Sequence, residues 1–178
     1  MHAPGPNPET DRVEGFPRSP LVAALILAAG QASRMGSLKQ LLPFGDGTLL
    51  TNAVRQAHGA GFERIAVVVG AESSRVAESL APEAVEVVEN HDWGLGMGSS
   101  IRAGMTRVRR WSPVPDVIAI LLADQPLIES RHLAAMRDLQ RQSSARIVAA
   151  QYSGGYGVPA LFASELFDKL ESLPPDAG

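Results

Sequence analysis

The segment Leu27 to Phe44, LAAGQASRMGSLKQLLPF, carries the residues best suited to chemistry. Small residues and glycines at Ala28, Ala29, Gly30 and Gly36 leave backbone N–H groups unobstructed, so they can close around an anion. Arg34 offers a planar fork of donors and Lys39 a mobile point charge, both suited to a polyphosphate. The segment has neither the GKS or GKT ending of a P-loop nor the G-x-G-x-x-G of a dinucleotide fold, so it reads as a phosphate-binding loop of another kind. A further charged group, Asp124, stands at the end of the uncharged run Val117 to Ala123. A carboxylate in that position needs a cation or donors. Mg²⁺ held by one or two carboxylates together with substrate phosphates is the usual arrangement in phosphoryl-transfer sites. The competing role is a helix N-cap, because Asp124 followed by Gln125 and Pro126 can also start a turn. Between these two features, Asn90 to Ser100 holds Gly94, Gly96 and Gly98 and then enters a helix at Ser99 or Ser100. A serine N-cap is expected there, and a helix N-terminus exposes donors to a ligand.

The pattern L-A-A-G-x3-R-M-G-x2-K-x-L-L-P resembles the signature loop of nucleotidyltransferases that move a nucleoside monophosphate from an NTP onto a phosphate. It is most similar to the group containing molybdenum-cofactor cytidylyltransferase and molybdopterin-guanine dinucleotide synthase. Gly96-Met97-Gly98-Ser99-Ser100, followed by Ile101-Arg102-Ala103-Gly104, and Leu122-Ala123-Asp124-Gln125-Pro126 fall in the family's order and spacing. The resemblance implies a three-layer, Rossmann-like α/β fold of the nucleotide-diphospho-sugar-transferase type with a mostly parallel sheet. It implies that Leu27, Ala28, Ala29, Gly30 and Ser33, with Arg34 and Lys39, hold the nucleotide. Asn90, Gly98, Ser99 and Ser100 would border the nucleoside, and Asp124 would bind Mg²⁺. Arg34, Lys39 and Asp124 become the catalytic candidates. The acceptor so implied is the phosphate of molybdopterin and the product is molybdopterin cytosine dinucleotide, with the molybdoenzyme that receives the cofactor as a macromolecular partner. L-A-A-G, where the guanylyltransferases usually have L-A-G-G, favours CTP over GTP.

A phosphomonoester has a second pKa of about 6 and is largely dianionic at neutral pH, so such an acceptor needs no Ser–His–Asp machinery. Catalysis then reduces to alignment and charge stabilisation. The sequence departs from the family at its end. The family continues past a G-D-x-G-like segment into a strand with D-[IV]-D-T-x-E-D-L, whose aspartate helps to bind metal. Here Pro174 to Gly178 resembles the start of the first of these segments. The domain at 21–178 is therefore expected to lack its C-terminal segment and to turn over poorly. A nucleotide-binding module with little turnover is the reading from a different class. A guanylyltransferase, or a cytidylyltransferase acting on a sugar phosphate or methylerythritol phosphate, is the near enzymatic alternative.

The elements that would position these groups alternate along the chain. Residues 21 to 29, LVAALILAA, carry no charge and suit a buried parallel strand. Thr48 to His58 has helical spacing, with Leu49, Leu50, Ala53, Val54 and Ala57 on one face and Gly59 and Gly61 at its end. Ile65 to Val69, Val85 to Val88 and Val117 to Ala123 read as strands, and Ile147 to Ala150 and Val158 to Phe162 as shorter ones. Glu72 to Leu80, Ser99 to Arg110 and Arg131 to Arg141 read as helices. Strands with little alternation, separated by amphipathic helices, predict a mostly parallel sheet covered on both faces. Ligands bind outside the strand C-termini in such sheets, and the loops after residues 28, 69, 88 and 123 all leave from that edge.

Composition agrees with one domain. The chain has 178 residues, 45% hydrophobic, and can bury a sizeable core. A net charge of −3 provides no basic footprint for nucleic acid. With no cysteine there are no disulfides or thiolate metal sites, which suits a cytoplasmic enzyme. No apolar run reaches the length of a membrane span. Residues 1 to 20 hold Pro4, Pro6, Pro8, Pro17 and Pro20 and are expected to form a disordered leader. A signal peptide is disfavoured by Asp11 and Glu14 in its charged region and by a cleavage point inside the phosphate loop. His58, His91 and His132 lack ligand-like spacing, and Arg107, Arg109 and Arg110 read as a solvated helix face.

Overall fold

The computed structural model describes residues 19–30, 38–70 and 72–177. Most of the expected leader, with Ser33 and Arg34, lies outside the described residues. Strand β1 (Val22–Ala28) is buried along its whole length. It pairs in parallel with β4 (Arg64–Val69) on one edge and with β6 (Val117–Leu122) on the other. An uncharged sequence suits this position, since both faces are covered and every backbone group is satisfied by a neighbour. Strand β5 (Glu86–Glu89) adds in parallel beyond β4. On the far side, β8 (Gly155–Ala163) runs antiparallel to β6, and β7 (Ile147–Tyr152) runs antiparallel to β8. The sheet order is β5-β4-β1-β6-β8-β7. A separate two-stranded ribbon joins β2 (Pro43–Phe44) to β3 (Gly47–Thr48) through Gly45, which adopts φ +59° as this tight turn requires.

Helices α1 (Leu49–Gly59), α2 (Ser73–Ser79) and α4 (Ser130–Ser143) contribute to the apolar core on one sheet face. Helices α3 (Met97–Val108) and α5 (Phe167–Glu171) build the core on the other. The three-layer, mostly parallel α/β arrangement is therefore as the sequence implies. In α1, Thr48 is the N-cap: its hydroxyl accepts from the Thr51 N–H, and Thr51 Oγ1 accepts from the Thr48 N–H. Leu50, Val54 and Ala57 face the core at the spacing read from the sequence. Arg55 bonds to Asp46 in the β2–β3 turn and, by that hydrogen bond and its charge, holds the Asp46 carboxyl below the usual carboxylate range.

Helix α3 and the last two strands differ from the sequence reading. Helix α3 begins at Met97 with Gly96 as N-cap, not at a serine. Ser99 is turned inward instead, and a carbonyl from the C-terminal tail takes over the capping role: the Ser99 N–H donates to the Pro175 oxygen at 3.2 Å. The last two strands are longer than expected and form a hairpin, because Gly155 adopts φ +137° and lets the chain reverse at Tyr152↔Gly155. The arginines at the end of α3 are not simply solvated. Arg107 bonds to Glu86, while Arg109 pairs with Asp168 and Glu171 and lies over the Phe167 ring. They tie α3 to β5 and α5. His132 helps to cap α4, accepting the Glu129 N–H through Nδ1.

Helix α3 approaches the sheet closely at Gly104. A Cβ there would lie 2.4 Å from Leu25 Cδ1 and 2.9 Å from Val68 Cγ2. In an exposed helix Gly→Ala gains up to about 1 kcal/mol. Here overpacking wins, and Gly104→Ala is expected to lower stability by about 1–3 kcal/mol, read by urea unfolding.

Candidate functional site

The parallel register places the ends of three strands at one level. Leu27 pairs with Val68 on one side and with Leu122 on the other. The chain leaving β1 and β6, with the turn that follows β5 beyond β4, contributes to one place, where a cavity of about 510 Å³ opens. One wall is formed by Leu27 to Gly30 with Lys39 and Gln40, a second by the turn from Trp93 to Met97 with Ser100, and a third by Leu122 to Asp124. The expected loop residues Leu27, Ala28, Ala29, Gly30 and Lys39 thus meet Asp124 around a single space. At Gly30 an added Cβ would meet nothing within 4 Å among the described residues, so its backbone opens on the cavity.

Lys39 is exposed and begins a short 3₁₀ turn, Lys39–Leu41. Its neighbour Gln40 is only 4% exposed and donates from Nε2 to the Ala28 carbonyl at 3.0 Å. This bond ties the 3₁₀ turn to the end of β1, which holds Lys39 at the cavity. The sequence reading missed Gln40. Its signal is a polar side chain between Leu38 and Leu41 in an apolar stretch, where burial requires a partner.

Asp124 is exposed and lies in the turn after β6. The next helix begins at Ser130 with Glu129 as its N-cap, so Asp124 does not cap it. No hydrogen bond or ion pair engages Asp124 among the described residues, which leaves both carboxylate oxygens available. Those residues contain no group of three or more His, Cys, Asp or Glu side chains able to enclose a metal. A single carboxylate on the wall of this cavity does fit a cation that takes its other ligands from water and substrate.

The glycine-rich turn is held from beneath. Asn90 is 5% exposed and donates through Nδ2 to Ser99 Oγ at 2.9 Å and Ser100 Oγ at 3.0 Å. Its Oδ1 accepts the Asp92 N–H at 3.0 Å. Ser99 Oγ lies 3.0 Å from the Asp92 carbonyl and 2.7 Å from that of Gly96, and can donate to either. Asn90 and Ser99 are thus engaged with the protein and do not line the cavity, whereas Ser100 lines it and keeps a hydroxyl proton to donate. Gly98 meets the C-terminal tail: a Cβ there would lie 1.9 Å from the Pro174 carbonyl oxygen. The tail also lies against Gly96, whose φ of +121° favours glycine. Of the four residues expected to border a nucleoside, the structure places only Ser100 on the cavity surface. Trp93, absent from the sequence reading, stands on that surface instead.

Residues 24–178 match the MobA-like NTP transferase domain. The chain belongs to this family. Among similar proteins, nicotine blue oxidoreductase of Paenarthrobacter nicotinovorans is 33% identical over 135 residues, covering 75% of this chain and 63% of the relative. The chain therefore spans less than two thirds of that protein's length. Purine catabolism protein PucB of Bacillus subtilis (strain 168) is 29% identical over 169 residues, covering 90% of this chain and 80% of PucB. The crystal structure of Rv0371c from Mycobacterium tuberculosis H37Rv superposes with a TM-score of 0.75 at 29% identity, covering 88% of this chain and 78% of Rv0371c. Its complex with manganese superposes with a TM-score of 0.71 at 28% identity, covering 86% and 77%. In this family member the cavity at the strand C-termini is walled by Leu27 to Gly30, the Trp93 turn and Leu122 to Asp124.

The contact at Gly98 can be tested independently of any ligand. Gly98→Ala is expected to lift residues 174–177 from the start of α3 and to cost about 1–3 kcal/mol. Urea unfolding measures the cost, and faster hydrogen exchange at the Ser99 amide locates it.

Proposed function

We propose that this protein is a nucleotidyltransferase that moves CMP from CTP to the phosphate of molybdopterin and releases pyrophosphate. The observation that carries the reading is the meeting of Leu27 to Gly30 and Lys39 with Asp124 around one cavity. Fold alone cannot carry it, since relatives of this chain bear names of quite different chemistries. A loop with two cations and open backbone suits a triphosphate, and a free carboxylate across the cavity suits a divalent cation shared with that triphosphate. The manganese complex of Rv0371c supports the latter.

In the proposed reaction a phosphate oxygen of the acceptor attacks the α-phosphorus of CTP. The bond to the bridging oxygen of pyrophosphate breaks, and the electron pair leaves with pyrophosphate. Lys39 and Arg34 stabilise the charge that gathers on the leaving group. Ser100 offers its hydroxyl to the nucleotide, and Gln40 keeps Lys39 in place through Ala28. Asp124 would hold the divalent cation, Mg²⁺ in this proposal, which when bound neutralises phosphate oxygens. The L-A-A-G form of the loop supports CTP over GTP. The molybdoenzyme that receives the finished cofactor is the proposed macromolecular partner.

Pyrophosphate release with CTP or GTP, Mg²⁺ and molybdopterin, measured beside nucleotide binding, tests the reading. Binding without release would instead favour a nucleotide-binding module, and release with GTP alone would reverse the base assignment. Two variants sharpen the test. Lys39→Ala is expected to weaken triphosphate binding about tenfold, the scale of a charge-assisted hydrogen bond. Calorimetry checks this, with an unchanged unfolding midpoint because an exposed lysine contributes little stability. Asp124→Asn keeps shape but removes charge, so Mg²⁺-dependent turnover is expected to fall at least about tenfold, or about 1.4 kcal/mol of barrier. A variant that titrates with Mg²⁺ as the parent does would remove Asp124 from the site.

A further inference from the structure

Trp93 is half-buried on the cavity wall, in a turn whose other residues are mostly small or exposed. Its seat is Gly70, just beyond the end of β4. A Cβ on Gly70 would lie 2.6 Å from both Cβ and Cγ of Trp93 and 2.7 Å from the Ala29 carbonyl oxygen. The side chain therefore rests directly on backbone, beside the last residues of the phosphate loop's strand end. It packs at the margin of the core between the sheet and α3 rather than within it. The indole N–H donates to no group among the described residues. An indole with one side seated on backbone and another on an open cavity is a flat apolar platform.

The groups on the cavity wall follow different strands. Lys39 and the open backbone at Gly30 lie along one part of it, and the carboxylate of Asp124 follows β6. Trp93 lies over the end of β4, on the opposite flank of β1. Two interstrand spacings, about 10 Å, separate β4 from β6. A nucleotide whose reacting phosphorus lies near Asp124 would thus have a flat base at the right remove to reach Trp93. We infer that Trp93 is the surface on which the base of the nucleoside triphosphate packs, and that Gly70 is the positioning residue that seats it. The inference rests on the transferase reading above and adds a residue that the sequence motifs do not contain.

The protein has two tryptophans, which makes the test direct. Trp111 is buried at the other end of β4, under the Arg64 guanidinium at 4.3 Å, with its N–H bonded to Glu86. Arg64 and Gly70 stand six residues apart, about 20 Å along an extended chain, so Trp111 reports folding without touching the cavity. Calorimetry would measure CTP, GTP and inorganic tripolyphosphate binding to the parent chain, Trp93→Ala and Trp93→Phe, each with Mg²⁺, and Trp emission would be followed in parallel. The expected result is a quench of emission by the preferred nucleotide that is absent in Trp93→Ala, with the Trp111 emission retained. Trp93→Ala should bind that nucleotide about tenfold or more weakly, as loss of one base–aromatic stack predicts. Its affinity for tripolyphosphate should be unchanged, and Trp93→Phe should stay within about threefold of the parent for both. Equal nucleotide affinity in Trp93→Ala overturns the inference and leaves the transferase reading standing. So does an equal loss of nucleotide and tripolyphosphate affinity, which is what a merely structural role produces. A folded parent chain that binds neither nucleotide overturns both.

Discussion

The pairing of β1 on both of its edges governs the rest of this structure. A strand buried on both faces and bonded on both sides can carry no unsatisfied polar group, which is why its side chains are Val, Ala, Leu and Ile throughout. Its register with β4 and β6 brings three chain ends to one level. The turn that leaves β6 inherits its place from this register. A residue such as Asp124 can then stand with both oxygens unengaged among the described residues and still be placed.

Stability and chemistry are divided between the two ends of the sheet. At the N-terminal end of β4 and β5, Arg64 lies over Trp111, Glu86 receives both Trp111 and Arg107, and Arg109 reaches α5. These contacts hold α3 across the sheet. At the C-terminal end the pattern is reversed. Lys39, Asp124 and the Ser100 hydroxyl retain capacity to bind, and the polar groups that are satisfied, Gln40 and Asn90, are spent on holding backbone. Pre-organisation of this kind places donors before a ligand arrives and so lowers the cost of ordering them.

The turn from Trp93 to Gly98 shows how closely the two functions are joined. It rests on the Asn90 network below, on the tail at Gly96 and Gly98, and on Gly70 through Trp93. Three glycines are needed where backbone or an aromatic ring approaches within a Cβ's radius. A change at any of them would move the cavity wall while leaving the sheet intact.

Much of this was legible in the residues alone. Unbroken apolar runs identified β1, β4 and β6, and the 3.6-residue spacing of Leu50, Val54 and Ala57 identified α1, because burial on two faces or on one stripe leaves a period in the sequence. The order of motifs around Leu27, Gly96 and Asp124 pointed to the family and to the loops that wall the cavity. The direction of the final hairpin, the start of α3 and the roles of Asn90, Ser99, Gln40 and Trp93 were not legible. Each depends on a partner distant in the chain: the Pro175 carbonyl for the cap, the Ala28 carbonyl for Gln40, the backbone of Gly70 for Trp93. Local periodicity and spacing record which face of an element is buried, since that is a property of neighbours in sequence. Which polar group is spent inside the protein and which is left for a ligand depends on atoms brought together only when the sheet and its two helical layers close, and the tertiary structure alone decided it.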